Sequence, residues 1–137
     1  MVLDASVTLA WCFEDERDDY AAAILMQLVA GDEAIAPAMW PYEVVNALVV
    51  GERRGRISPA EAALFVERLA NYPIVVEPPA TPPNWTALLD LARTTKLSAY
   101  DAAYLELALR EQLSLVTLDT RLRAAARKAG LSVALPR

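Results

Sequence analysis

The chain has 137 residues, with 18 acidic and 13 basic side chains for a net charge of −5; 55% of it is hydrophobic and 23% charged. That is enough sequence for one globular domain spanning 1–137 and too apolar for a disordered chain. There is no histidine and a single cysteine, Cys12, which excludes histidine acid–base chemistry, a Ser-His-Asp triad, His-ligated zinc and an internal disulfide, and makes a reducing cytoplasm the expected compartment.

Met1 to Ala5 is a short apolar run closed by Asp4 and predicts a strand. Its lack of a basic segment and its early acid do not fit a signal peptide. The apolar residues 6–13 start a helix, and 14–19 form a charged loop or helix start. Ala21, Ile24, Leu25, Leu28 and Val29 then recur at helical spacing until Gly31-Asp32. Ala34-Ile35-Ala36 predicts a second strand. Pro41 suits a first helical turn, and Val44, Val45, Leu48 and Val49 continue that helix into Arg53-Arg54-Gly55-Arg56. Ser58-Pro59-Ala60-Glu61 reads as a capping box for a helix through Leu64, Phe65 and Leu69.

Pro73 to Val76 predicts a third strand, and residues 78–83 a proline-rich loop before a helix holding Trp85, Leu88, Leu89 and Leu91. A second capping box, Ser98-Ala99-Tyr100-Asp101, opens a helix with Ala102, Leu105, Ala108 and Leu109. Residues 113–118 predict a fourth strand ending at Asp119, followed by a helix through Leu122, Ala125 and Ala129, and residues 131–135 a short final strand. Short, non-alternating apolar strands between helices predict an α/β domain, with a mostly parallel sheet covered on both sides. No apolar run approaches the ~18 residues of a membrane span.

In such a sheet, ligands bind beyond the carboxyl ends of the strands. Asp4 and Asp119 end strands, and Glu43 and Asp101 lie in first helical turns, so all four acids are candidates for one site. Each also has an ordinary explanation: a turn residue for Asp4, a dipole partner for Glu43, a capping-box partner for Asp101, an N-cap for Asp119. Together they are costly, because two carboxylates about 5 Å apart repel by roughly 3 kcal/mol at an effective dielectric near 20. A hard divalent cation, Mg²⁺ or its substitute Mn²⁺, offsets such a cluster and suits phosphate chemistry. Acid-only metal sites activate water for attack on a phosphodiester.

The segments Val2-Leu3-Asp4-Ala5-Ser6, Pro41-Tyr42-Glu43-Val44-Val45-Asn46-Ala47-Leu48, Ser98-Ala99-Tyr100-Asp101-Ala102-Ala103-Tyr104 and Val116-Thr117-Leu118-Asp119 resemble the PIN-domain ribonuclease family. Within it they resemble VapC-type toxins of toxin–antitoxin pairs. The resemblance spans the whole chain and implies a three-layer α/β/α sandwich. It implies that Asp4, Glu43, Asp101 and Asp119 are catalytic and bind Mg²⁺, with Ser6, Asn46 and Thr117 in support. It further implies endoribonuclease activity, a homodimer, and inhibition by an antitoxin protein. One departure is Thr120-Arg121-Leu122-Arg123, where some members carry a further acid that would help to hold a second metal.

Arg121 and Arg123, directly after Asp119, are the candidates for RNA contact, since arginine pairs well with phosphate. Trp11, Phe13, Trp40 and Tyr42 can pack a core or stack on bases; Trp11 and Phe13 are the expected partner-facing patch, with Cys12 an apolar filler between them. Two other readings compete. An aspartate-nucleophile phosphatase would need an acid two residues after Asp4, where this chain has Ser6. An inactive interaction module with the same fold would make no use of the four acids.

Overall fold

A computed structural model describes residues 1–133. Its central sheet contains β1 (Val2–Leu3), β2 (Ala34–Ala36), β3 (Ile74–Val76) and β4 (Leu115–Val116). All pairings are parallel, in the order β3-β2-β1-β4. The helices between them are α1 (Ala5–Ala10), α2 (Asp19–Val29), α3 (Trp40–Arg53), α4 (Pro59–Leu69), α5 (Pro82–Thr95), α6 (Ala99–Glu111) and α7 (Thr120–Lys128), with a short 3₁₀ turn at Glu14–Glu16. One helical layer is built by α1 packing on α2 and α3, and by α3 packing on α4. The other centres on α6, which touches α5, α7, β1 and β4. This is the α/β/α arrangement expected from the alternation of elements.

The inner strands are shorter than the sequence predicts, and hydrogen bonding explains why. Val2, Leu3, Leu115 and Val116 are fully buried. Past Val116 the backbone leaves the ladder, because the Leu118 N–H donates to Ser6 Oγ at 3.0 Å and the Asp119 N–H to Thr117 Oγ1 at 3.0 Å. Hydroxyl groups thus replace strand carbonyls as acceptors. Past Leu3, the Asp4 N–H still reaches the Val116 carbonyl at 3.0 Å, while the Asp4 carbonyl already accepts from Val7 at 3.2 Å to begin α1.

Not every strand is covered on both faces. β3 lies at the sheet edge, and Val75 keeps 59% of its surface exposed. Of the predicted final strand, Val133 forms a parallel bridge to Leu115, and residues 134 and 135 lie outside the described residues.

Phe13 corrects another expectation. It is 2% exposed, a core residue and no part of a partner-facing patch. Its ring presses on α3 at Gly51, where a Cβ would lie 2.6 Å from Phe13 Cε1, so this contact requires glycine. The Arg56 guanidinium covers the ring, 4.1 Å from its centroid, and pairs with Asp15 and Glu16. Trp11 is half-buried, and its indole N–H donates to the Ala21 carbonyl at 2.7 Å. The large apolar side chains left outside include Tyr42, Val45 and Val49 on α3 and Trp85 and Leu89 on α5.

Candidate active site

Asp4 follows β1 directly and occupies the N-cap position of α1, yet its carboxylate does not cap that helix. It accepts instead from two hydroxyls at one oxygen, Oδ2: Ser6 Oγ at 2.5 Å and Thr117 Oγ1 at 2.6 Å. Each hydroxyl also accepts from a backbone N–H beyond β4, so the turn after β1 and the turn after β4 form one polar web around Asp4. The Ser6 backbone N–H adds a weaker interaction with this carboxylate, and among the described residues no full hydrogen bond is formed at Oδ1. Burial pushes the Asp4 carboxyl above its ordinary 3.8; the two hydroxyls pull it back and the charge of Asp101 pushes it up again.

Glu43 comes from the first turn of α3, which Pro41 opens. Its Oε2 accepts from the hydroxyl of Tyr104, a fully buried residue of α6, and no donor among the described residues reaches Oε1. Burial raises the Glu43 carboxyl above its ordinary 4.5, the tyrosine bond opposes this, and the charges of Asp4 and Asp101 add to the rise. Burial and the Glu43 bond in turn hold the Tyr104 phenol above its usual range.

Asp101 lies in the first turn of α6. Its N–H donates to Ser98 Oγ at 3.0 Å, which caps the helix, but its carboxylate returns no bond to the Ser98 backbone. The expected capping box is therefore half formed, and among the described residues both carboxylate oxygens of Asp101 are without a donor.

The structure thus draws Asp4, Glu43 and Asp101 together from three separate elements, so that the charge of Asp101 raises the cost of ionising Asp4, and the charges of Asp4 and Asp101 raise that of Glu43. Asp119 is placed differently. It caps α7, with Oδ1 accepting from Leu122 N–H at 2.8 Å, and joins the others through Thr117. All the nearby acids offer oxygen donors, and Asp4, Glu43 and Asp101 each keep at least one oxygen without a full hydrogen bond from the described residues. This donor set fits a hard divalent cation. Among the described residues, no three acids stand close enough to chelate one ion directly.

The remaining predicted residues divide. Ser6 and Thr117 are brought to Asp4. Asn46, one turn after Glu43, is exposed and bonds to none of the acids. Arg123 turns inward: its Nη2 donates to the Thr117 carbonyl at 2.7 Å and its guanidinium lies 5.6 Å from the Tyr20 ring. Arg121 is exposed but donates to the Lys96 carbonyl at 3.0 Å. Tyr104 was missed by the sequence reading. Its signal is its position three residues after Asp101, on the same helical face, with a polar tip in an otherwise apolar stripe.

A profile of the PIN domain matches residues 1–128. The chain belongs to the PIN-domain family. PIN domains are generally nucleases, and PIN nucleases typically use a divalent metal. The crystal structure of PAE2754 from Pyrobaculum aerophilum superposes on this PIN domain with a TM-score of 0.68 and 26% identity, over 90% of this chain and 77% of that one. The crystal structure of FitAcB from Neisseria gonorrhoeae gives a TM-score of 0.66 at 18% identity, over 98% of this chain and 96% of that one, a likeness of fold. No curated protein matches the chain. Among the described residues, no helix is long and apolar enough to cross a membrane.

Proposed function

We propose that this PIN domain is a Mg²⁺-dependent endoribonuclease, the toxin of a VapC-type toxin–antitoxin pair, with Mn²⁺ able to replace Mg²⁺. The observation that carries the reading is the meeting of Asp4, Glu43 and Asp101, each with an oxygen that takes no full hydrogen bond from the described residues. Asp4 is the fixed member, since Ser6 and Thr117 immobilise one of its oxygens and leave the other available. Asp101 brings a carboxylate free of its own helix, and Glu43 one tied to Tyr104. Asp119 stands at the rim, positioned through Thr117.

A divalent cation bound here supplies an activated water and neutralises charge at the phosphodiester. A Mg²⁺-type ion keeps several of its waters, so it would be held by one or two of these carboxylates, with water and substrate phosphate completing its shell. The protein's own part is to hold the carboxylates ionised and oriented, with Ser6, Thr117 and Tyr104 as hydrogen-bond donors. Hydrolysis adds water across the bond from phosphorus to the 3′ oxygen, leaving 5′-phosphate and 3′-hydroxyl ends.

The outward apolar side chains Tyr42, Val45, Val49, Trp85 and Leu89 support a protein partner, which we assign to the antitoxin and to a second copy of the chain. The inward engagement of Arg123 leaves Arg121 as the better candidate for RNA contact of the two.

The test is incubation of the antitoxin-free protein with total cytoplasmic RNA in Mg²⁺, in Mn²⁺ and in chelator, with the ends of the fragments mapped. Metal-dependent cleavage that Asp4→Asn/Asp101→Asn abolishes is the expected result. Ends carrying a 2′,3′-cyclic phosphate, or undiminished cleavage in chelator, overturn the mechanism.

A further inference from the structure

We propose that Tyr104 is a positioning residue: its phenol fixes the Glu43 carboxylate so that the second oxygen of Glu43 remains available to a divalent cation. The inference rests on the nuclease reading above and adds to it a residue that neither binds metal nor touches substrate.

Tyr104 is fully buried in the middle of α6, among Ala102, Leu105, Leu107 and Ala108. Phenylalanine would pack there as well; what tyrosine adds is one hydroxyl, and a buried hydroxyl demands a partner. Its partner is Glu43 Oε2, 61 residues away in sequence on another helix. Asp101 lies three residues earlier on the same face of α6, so this helix supplies one acid to the site and orients a second.

Glu43 needs that help. Among the described residues its side chain has no other hydrogen bond, and its neighbours Tyr42 and Asn46 are exposed. A glutamate with three rotatable bonds, facing Asp4 and Asp101, is driven toward solvent by like charge. The phenol opposes this with a charge-assisted bond from a rigid ring that the core holds in place. The bond takes one carboxylate oxygen and leaves the other. This is how outer partners orient metal-binding carboxylates in general.

The experiment is Mn²⁺ titration by calorimetry, with the Mn²⁺ paramagnetic resonance line shape and the melting temperature measured in parallel. Tyr104→Phe is expected to keep its fold and lose about 10- to 100-fold in Mn²⁺ affinity, the range for outer partners of metal ligands. Glu43→Gln is expected to lose at least as much, and Glu43→Gln/Tyr104→Phe no more than Glu43→Gln alone, because Tyr104 acts through Glu43. A Tyr104→Phe protein that melts earlier but binds Mn²⁺ with unchanged affinity and line shape overturns the inference in favour of a packing role.

If Tyr104→Phe does not fold, Glu43→Asp asks the same question, since the shorter side chain withdraws the carboxylate from an intact phenol. Wild-type Mn²⁺ affinity in that variant also overturns the inference. Asp4→Asn/Asp101→Asn separates the two levels. If it binds Mn²⁺ like the wild type, the nuclease reading fails and this inference with it. If it loses binding while Tyr104→Phe does not, positioning alone fails.

Discussion

Two helices of this protein begin with the same pattern, a serine followed three residues later by an acid, and they use it differently. At α4 the box is complete. Ser58 Oγ accepts from Glu61 N–H at 3.2 Å, and Glu61 Oε2 accepts from Ser58 N–H at 2.8 Å and from its hydroxyl at 2.6 Å. At α6 only the first half exists, Asp101 N–H to Ser98 Oγ at 3.0 Å. Aspartate is one methylene shorter than glutamate, and its carboxylate does not return to the serine. At α4 the acid serves its own helix; at α6 the serine does the capping and the acid is left free for the proposed site. A sequence signature for a helix start therefore fixes where the helix begins without deciding what its acid is for.

Four experiments break or sharpen this contrast. Asp101→Asn has the largest expected effect: Mn²⁺ affinity and RNA cleavage fall more than about 100-fold, beyond the range for outer partners. The melting temperature holds or rises, because repulsion with Asp4 and Glu43 is relieved. Glu61→Gln, the matching change at α4, leaves cleavage at the wild-type rate. Loss of cleavage in both would show that the acids are not specialised as described.

Asp101→Glu comes next. The added methylene lets the carboxylate return to Ser98, so the helix is expected to gain up to about 0.5 kcal/mol in stability on the scale of capping effects, while Mn²⁺ binding weakens about 10-fold. Stability is read by urea denaturation and binding by calorimetry.

Ser58→Ala and Ser98→Ala should each cost about 1 kcal/mol in urea denaturation, the usual value for a lost N-cap, with Ser58 the more costly because both halves of its box go.

The smallest effect is in pH. The Ser58 donors hold the Glu61 carboxyl below its ordinary 4.5. Its stabilisation is therefore present above that value and is lost as pH falls through the folded value. Asp4 and Glu43 have raised values, so in metal-free protein the ionised site opposes folding, and this penalty fades as pH falls through them. Glu61→Gln should flatten the acid limb of the stability curve, and Asp4→Asn should remove the opposing contribution.

Much of the placement of the candidate site is legible in the sequence because it depends on local order. Asp4 stands directly behind the buried pair Val2-Leu3, and Pro41 and Ser98 mark the helix starts that carry Glu43 and Asp101. The alternation of strand and helix carried the layered fold in the same way. What was not legible depends on what lies across from a residue. Periodicity puts Phe13 near an apolar stripe but does not say that Gly51 opens a slot for it. Arg123 follows an acid and reads as a phosphate contact, yet its long side chain folds back on the Thr117 carbonyl. Tyr104 reads as one more core aromatic until the acceptor of its hydroxyl is seen on another helix. The strands were read too long at β4 because the hydroxyls of Ser6 and Thr117 take over backbone donors, an exchange between segments far apart in sequence.

The bond from Thr117 to Asp4 closes a loop of 113 residues. During synthesis the Thr117 hydroxyl is made 113 residues after Asp4, whereas Ser6, the other hydroxyl on this carboxylate, follows it at once. β1 can hold its place beside β4 only after all the intervening helices and strands have been produced. An emerging or truncated chain thus carries its acids without their framework, and the proposed nuclease becomes competent only when its sheet is completed. For a protein proposed to attack the RNA of its own cell, the order of the strands is itself a delay, during which a partner has time to be made.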